Sequence, residues 1–161
     1  MDNRDTHTFL TVLSADVALR RDGVRPGAVV AVIRPKGAEQ IAAGLGVLAI
    51  VAAYVPIGVD QPPARRDRIL RTAGAWHVVD ADHIVASQDE AAASPYQGEG
   101  PDTAYVIFTS GSTGEPHAVQ IQHAAALNTL PDVVARSGIR QHARPLAVSP
   151  LDFALSLLSL F

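Results

Sequence analysis

Three features of the 161-residue sequence predict an α/β fold. A helix, a turn and a strand follow one another between residues 8 and 33. A long uncharged run, Ile41 to Val59, has the pattern of a buried helix followed by a short strand. A β-branched and aromatic segment, Tyr105-Val106-Ile107-Phe108, then enters a loop made of hydroxyl-bearing residues and glycine. Helix-length and strand-length apolar segments in alternation are what a sheet layered with helices requires.

The first element places Phe9, Val12, Leu13, Val17 and Leu19 at loose helical spacing, and ends in Arg20-Arg21-Asp22 before Gly23. Basic residues in the last turn followed by glycine mark a helix stop. Val24-Arg25-Pro26-Gly27 is a turn, and Ala28 to Ile33 is a buried strand closed by Arg34-Pro35. From Gly37 helical spacing returns, with Ile41, Leu45, Leu48 and Val51 near one face and Ala and Gly filling the sides. The 19 uncharged residues from Ile41 to Val59 have the length of a membrane span. Three glycines and Pro56, in an extended Tyr54-Val55-Pro56 segment, favour a buried helix and a short strand instead.

Pro63 to Ala73 is predicted as a helix, with proline at its start and Gly74 at its end. Arg65, Arg66, Arg68 and Arg71 lie along it without interleaved aromatics, so a solvated face is expected rather than a nucleic-acid site. Trp76 to Val79 is a strand, and Asp80 to Pro101 a long polar and alanine-rich connection. Beyond the hydroxyl-rich loop, Val119-Gln120-Ile121 alternates like a short strand returning from a hairpin. Ala124 to Ala135 is helical despite Pro131.

Composition narrows the functional classes. The chain is 48% apolar with a net charge of −3, and its acids and bases are interspersed, so neither nucleic acid nor an anionic membrane is favoured as partner. It has no cysteine, which excludes disulfides and thiolate metal sites and makes a reducing cytoplasmic setting the simplest expectation. The amino terminus is polar and acidic, unlike a signal peptide. Six histidines show no i,i+4 pair, so no metal site is expected.

The loop after Phe108 carries the chemistry. Thr109, Ser110, Gly111, Ser112, Thr113 and Gly114 combine hydroxyl donors with glycines that let another group approach the backbone, which suits phosphate. An ordinary Ser/Thr/Gly hairpin turn has the same composition. The Gly-x4-Gly-Lys order of a P-loop is absent. The run Tyr105-x-x-Phe108-Thr-Ser-Gly-Ser-Thr-Gly114-x-Pro116 closely resembles the phosphate-binding signature of the adenylate-forming enzymes, which include adenylation domains of nonribosomal peptide synthetases.

Two further segments support that resemblance. Gly44 to Arg65, continuing to Ile69-Leu70, is similar to the family's Leu-Lys-Ala-Gly-Ala-Ala-Tyr-Val-Pro signature, with Ala52 to Pro56 retained and Arg65 where the family has its arginine. Val51 stands where the family usually has glycine. The wording Ile57 to Pro62 is closest to siderophore synthetases that form oxazoline or thiazoline rings. Ser149 to Phe161 resembles the family's Ser-x-Leu-x-Phe-Asp-x-Ser segment at the substrate pocket.

The resemblance implies an incomplete part of the layered sheet-and-helix amino-terminal domain, with residues 1–161 forming a partial adenylation domain. It implies activation of a carboxylate with ATP and Mg2+, release of pyrophosphate, and transfer of the acyl group to the phosphopantetheine arm of a carrier protein. Thr109 to Gly114 would hold the β- and γ-phosphates. Where the family loop ends Pro-Lys-Gly, this chain has Pro116-His117-Ala118, and a neutral, shorter histidine lowers phosphate affinity. If position 118 requires a positive φ, Ala118 adds about 1 kcal/mol of strain. Beside Phe153, Ala154 replaces the aspartate that binds an α-ammonium, leaving the pocket degenerate. Adenine, ribose and hinge motifs and the small carboxy-terminal domain have no counterpart here. An amino-proximal piece, inactive alone and working with a complementary adenylation-domain chain or a carrier protein, is therefore expected. A non-catalytic remnant or interaction protein is the alternative. Strand edges and apolar surface left without sheet neighbours would favour aggregation.

Overall fold

A computed structural model describes residues 16–80, 84–86, 102–110 and 116–137. The expected features in 138–161, including the Phe153 and Ala154 segment, lie outside the described residues, as does the start of the first helix. The elements are α1 (16–21), β1 (Val29–Val32), α2 (Ala38–Ala49), β2 (Ala53–Pro56), α3 (Pro63–Ala73), β3 (His77–Val79), β4 (Ile84–Ala86), β5 (Thr103–Ser110), β6 (Pro116–Gln122) and α4 (His123–Ser137).

These strands form one six-stranded sheet in the order β4-β3-β1-β2-β5-β6. Strands β3, β1, β2 and β5 run parallel, and the two outer strands, β4 and β6, are antiparallel to their neighbours. Parallel strands are covered on both faces, which is why β1 and β2 are buried at every residue and read as continuous apolar runs. One face carries Val30, Val32, Tyr54 and Ile107 against Leu19, Ala43, Val47 and Ile50, from α1, α2 and the residue after α2. The other carries Val29, Ala31, Val55 and Val106 against Ile69 and Ala73 of α3. The α/β class is therefore confirmed.

Helix ends follow one device. After α1, the Val24 N–H donates to the Leu19 carbonyl and the Gly23 N–H to Arg20, with Gly23 at φ 83°. After α3, the Ala75 N–H reaches Leu70 and Gly74 sits at φ 61°. This is a Schellman turn, in which a left-handed residue lets the last carbonyls find donors. After α2 the same bonds form, Ala52 N–H to Val47 at 3.2 Å and Val51 N–H to Leu48 at 3.0 Å, but the left-handed residue is Val51 at φ 59°.

Four expectations need correction. The buried face of α2 is Gln40, Ala42, Ala43, Gly44, Gly46 and Val47, whereas Ile41, Leu45 and Leu48 are only half-buried, because small side chains let the helix lie close on the sheet. Val17, placed on the apolar face of the first helix, is 65% exposed. The connection after Asp80 contains a strand, β4, which pairs antiparallel with β3. Ala118 does not have a positive φ: it is a strand residue opposite Phe108, and carries no such strain. Among the described residues no helix is long and apolar enough to cross a membrane.

Candidate functional site

In open α/β sheets, ligands sit beyond the carboxyl ends of parallel strands. The carboxyl end of β5 is where Thr109 and Ser110 stand, on the same sheet edge as the ends of β1, β2 and β3. The strand runs two residues further than its apolar core suggests. Register pairs Thr109 with His117 and Ser110 with Pro116, so residues 111–115 connect a β5–β6 hairpin. Gly111, Ser112, Thr113 and Gly114 lie in that connection, outside the described residues.

Thr109 and His117 are both exposed and directly opposed, so they project on the same face of the hairpin. Hydroxyl and imidazole are thereby brought together at the mouth of the turn. A third cross-strand pair, Phe108 and Ala118, lies one step below on the opposite face, where half-buried Phe108 packs against the Ile69 and Val106 cluster.

The hairpin joins the central sheet through β5, whose Ile107 and Val106 enter the two cores and whose Tyr105 lies beside β2. Tyr54 of β2 pairs in register with Tyr105 of β5, and their rings lie 5.6 Å apart at 40°. A tilted aromatic pair adds about 0.5–1.5 kcal/mol to the area it buries. Tyr54 is 2% exposed, and its hydroxyl finds no hydrogen-bond partner among the described residues. Burial, with Tyr105 adding to it, pushes the Tyr54 hydroxyl well above the usual tyrosine range; burial also raises Tyr105. The aromatic joint was missed in the sequence, where both tyrosines read only as strand residues.

On the opposite face of the sheet from this joint, α3 carries Arg66, Arg68 and Arg71 exposed and Arg65 half-buried, a solvated face as expected. No group of His, Asp or Glu that could hold a metal ion occurs among the described residues.

The chain belongs to the family of AMP-binding enzymes, whose sequence profile matches residues 12–161. Pyochelin synthetase PchE of Pseudomonas aeruginosa is 42% identical over 99% of this chain and 12% of its own length. Phenyloxazoline synthase MbtB of Mycobacterium sp. (strain MCS) is 40% identical over 93% of this chain and 14% of its own. The chain thus spans about an eighth of these relatives.

Among solved structures, the nonribosomal peptide synthetase FmoA3, also solved with AMPPNP bound, matches at a TM-score of 0.72 and 35% identity, over 94% of this chain and 18% of that one. The N-terminal subdomain of Klebsiella oxytoca NpsA shares the fold, with a TM-score of 0.73 at 24% identity, over 93% of this chain and 41% of that one. The chain is thus similar to a portion of nonribosomal peptide synthetases, and the oxazoline resemblance agrees with the name of MbtB.

Proposed function

We propose that residues 1–161 are the amino-proximal part of an adenylation domain whose β5–β6 hairpin holds the leaving pyrophosphate of ATP. The observation that supports this most is the placement of Thr109 and His117 at the mouth of a Gly/Ser/Thr turn, at the carboxyl end of a parallel strand. In the reaction, a carboxylate oxygen attacks the α-phosphorus, an acyl-phosphate bond forms, and the α–β phosphoanhydride bond breaks. The electron pair leaves with pyrophosphate. Backbone N–H groups and hydroxyls of Thr109 to Gly114 offset the charge developing on that leaving group. Mg2+, when bound, would neutralise phosphate charge. Mg2+ commonly binds through substrate phosphates with few carboxylates, so it would arrive with the nucleotide.

The acyl group would pass from the adenylate to the phosphopantetheine thiol of a carrier protein, in the cytoplasm, during assembly of a siderophore-like product. In this reading the chain does not adenylate by itself, because its 161 residues hold no counterpart of the family's adenine, ribose and hinge motifs. The alternative, a non-catalytic remnant, draws on His117, Ala118 and Ala154, departures at functional positions within sound apolar patterning. ATP–pyrophosphate exchange across a panel of amino and aryl acids tests this. The isolated chain is expected to show no acid-dependent exchange, and clear exchange would overturn its assignment as an incomplete part. Absence of any ATP or pyrophosphate binding in direct titration would overturn the phosphate role of the hairpin.

A further inference from the structure

Adjacent parallel strands whose following helices leave to opposite faces open a crevice at their carboxyl ends, where ligands bind in open α/β sheets. Strands β1 and β2 are such a pair: they lie side by side, α2 follows β1 onto one face and α3 follows β2 onto the other. The connection from β1 to α2 at this crevice includes Arg34-Pro35-Lys36-Gly37, two cations in four residues. Gly37 caps the 12-residue α2 without a side-chain hydrogen bond. The first helical bond runs from the Ile41 N–H to the Gly37 carbonyl, so the N–H groups of Ala38, Glu39 and Gln40 precede the helix's own ladder. A Cβ added at Gly37 would meet nothing within 4 Å, so there is open space at the helix start. Gln40 sets this helix start apart. It is 5% exposed, and its Oε1 has no hydrogen-bond partner among the described residues. It stands on the sheet-facing side of α2 with Ala43 and Val47, and helical side chains lean toward the amino terminus, so the amide is directed to the crevice. A buried amide without a partner is costly, and a ligand bound there would supply one.

We propose that the turn from β1 into α2 is a second oxyanion site, one that takes a phosphate group. The N–H groups of Ala38, Glu39 and Gln40 and the dipole of α2 face the anion. The Gln40 amide donates its N–H to a phosphate oxygen or accepts from a P–OH, and exposed Lys36 supplies charge from the solvent side. Arg34 stands beside them, its Nη1 2.7 Å from Glu39 Oε2. The Glu39 side chain is 76% exposed and that of Arg34 18%, so the carboxylate is the member that an entering anion displaces. Strand β2 separates β1 from β5, which puts this site about 10 Å across the same sheet edge from Thr109 at ordinary strand spacing, too far for one phosphate group to touch both. The site stands whether or not the hairpin holds pyrophosphate.

Inorganic phosphate, pyrophosphate and ATP are to be titrated separately into the full 161-residue chain at constant ionic strength, with the backbone amides followed by NMR. Saturable shifts of Ala38, Glu39 and Gln40 are expected, unaltered by Thr109→Val at the hairpin. Lys36→Gln is expected to weaken binding about fivefold, and Glu39→Gln, which removes the competing carboxylate, to tighten it about threefold. Gln40→Leu is expected to weaken it about fivefold, with unchanged β1 amides reporting that the fold is kept. Shifts with all three ligands assign the site to phosphate itself, and shifts with ATP alone assign it to a nucleotide; either result supports it. Absence of saturable shifts at the three amides, affinity unchanged by both Lys36→Gln and Glu39→Gln, or loss of the shifts in Thr109→Val would each overturn the site. Shifts confined to Thr109 and His117 would overturn it too, while leaving the pyrophosphate hairpin standing. Shifts at Ala38 to Gln40 with none at the hairpin would support this site and count against the hairpin.

Discussion

Val51 occupies a backbone conformation that its side chain opposes. A β-branched residue at φ 59° crowds its own carbonyl, at a cost of about 1–2 kcal/mol. It is held there by the two Schellman bonds and by the Gly27 N–H, which donates to the Val51 carbonyl at 2.7 Å. Val51→Gly is expected to raise stability by about 1 kcal/mol after the entropy of glycine is subtracted, a rise of about 2–4 °C in melting temperature. Calorimetry of the two chains checks it, and a lower melting point would show that the valine side chain contributes more than its strain costs. His117 is the second informative residue. Exposed and opposite Thr109, it can accept a longer cationic side chain without repacking. His117→Lys is expected to tighten ATP or pyrophosphate binding about fivefold, near 1 kcal/mol, with the gain shrinking as salt rises. Titration calorimetry at two ionic strengths reads both.

Among the elements, the β2–β5 joint carries a pH signature. Both tyrosines have hydroxyls whose folded pKa lies above the unfolded value, so the folded state binds protons that the unfolded state has released. Their contribution is complete below about pH 10 and is lost as pH rises beyond it, at about 1.4 kcal/mol per pH unit for the deeply buried Tyr54. Tyr54→Phe is expected to flatten that alkaline loss. It should cost little at pH 7, since the hydroxyl has no partner among the described residues and its removal ends a desolvation penalty. Urea melts at pH 8 and pH 10.5 make the comparison.

Elements were legible where local chemistry fixes both ends. The bounds of α3 follow from Pro63 at its first turn and left-handed Gly74 at its stop. Strand β4 was not legible, because Ile84-Val85-Ala86 is short, lies among polar and acidic residues, and is strand only through its pairing with β3. The face of α2 was misread because periodicity follows the largest apolar residues, whereas close packing on a sheet selects the smallest. At the candidate site the turn was legible as composition and motif. The tyrosine joint that supports it was not, since Tyr54 and Tyr105 lie far apart in sequence and meet only through sheet order. Position 51 shows the same limit: the departure from glycine was visible, but its strain became so only with the dihedral.

At the scale of the whole molecule, the described residues expose Val17, Val59, Val119 and Leu127 among their large apolar side chains. A net charge of −3 gives weak self-repulsion, and exposed Val119 and Leu127, at 43% and 59%, add apolar surface near β6.

Strand β5 pairs with β2 at Tyr54 and Tyr105 and shares both cores with it through Ile107 and Val106, while its pairing with β6 runs over seven residue pairs. The residues up to Asp80 can close β1, β2 and β3 with their helices as one early unit. The hairpin is a second unit, with its own local antiparallel pairing, which joins across the β2–β5 seam. Native-state hydrogen exchange is therefore expected to show β5 and β6 opening together at lower free energy than β1, and equal protection of all three would mean that the sheet opens as a whole. The mouth that carries Thr109 and His117 would then take its place after β1, β2 and β3 and leave before them.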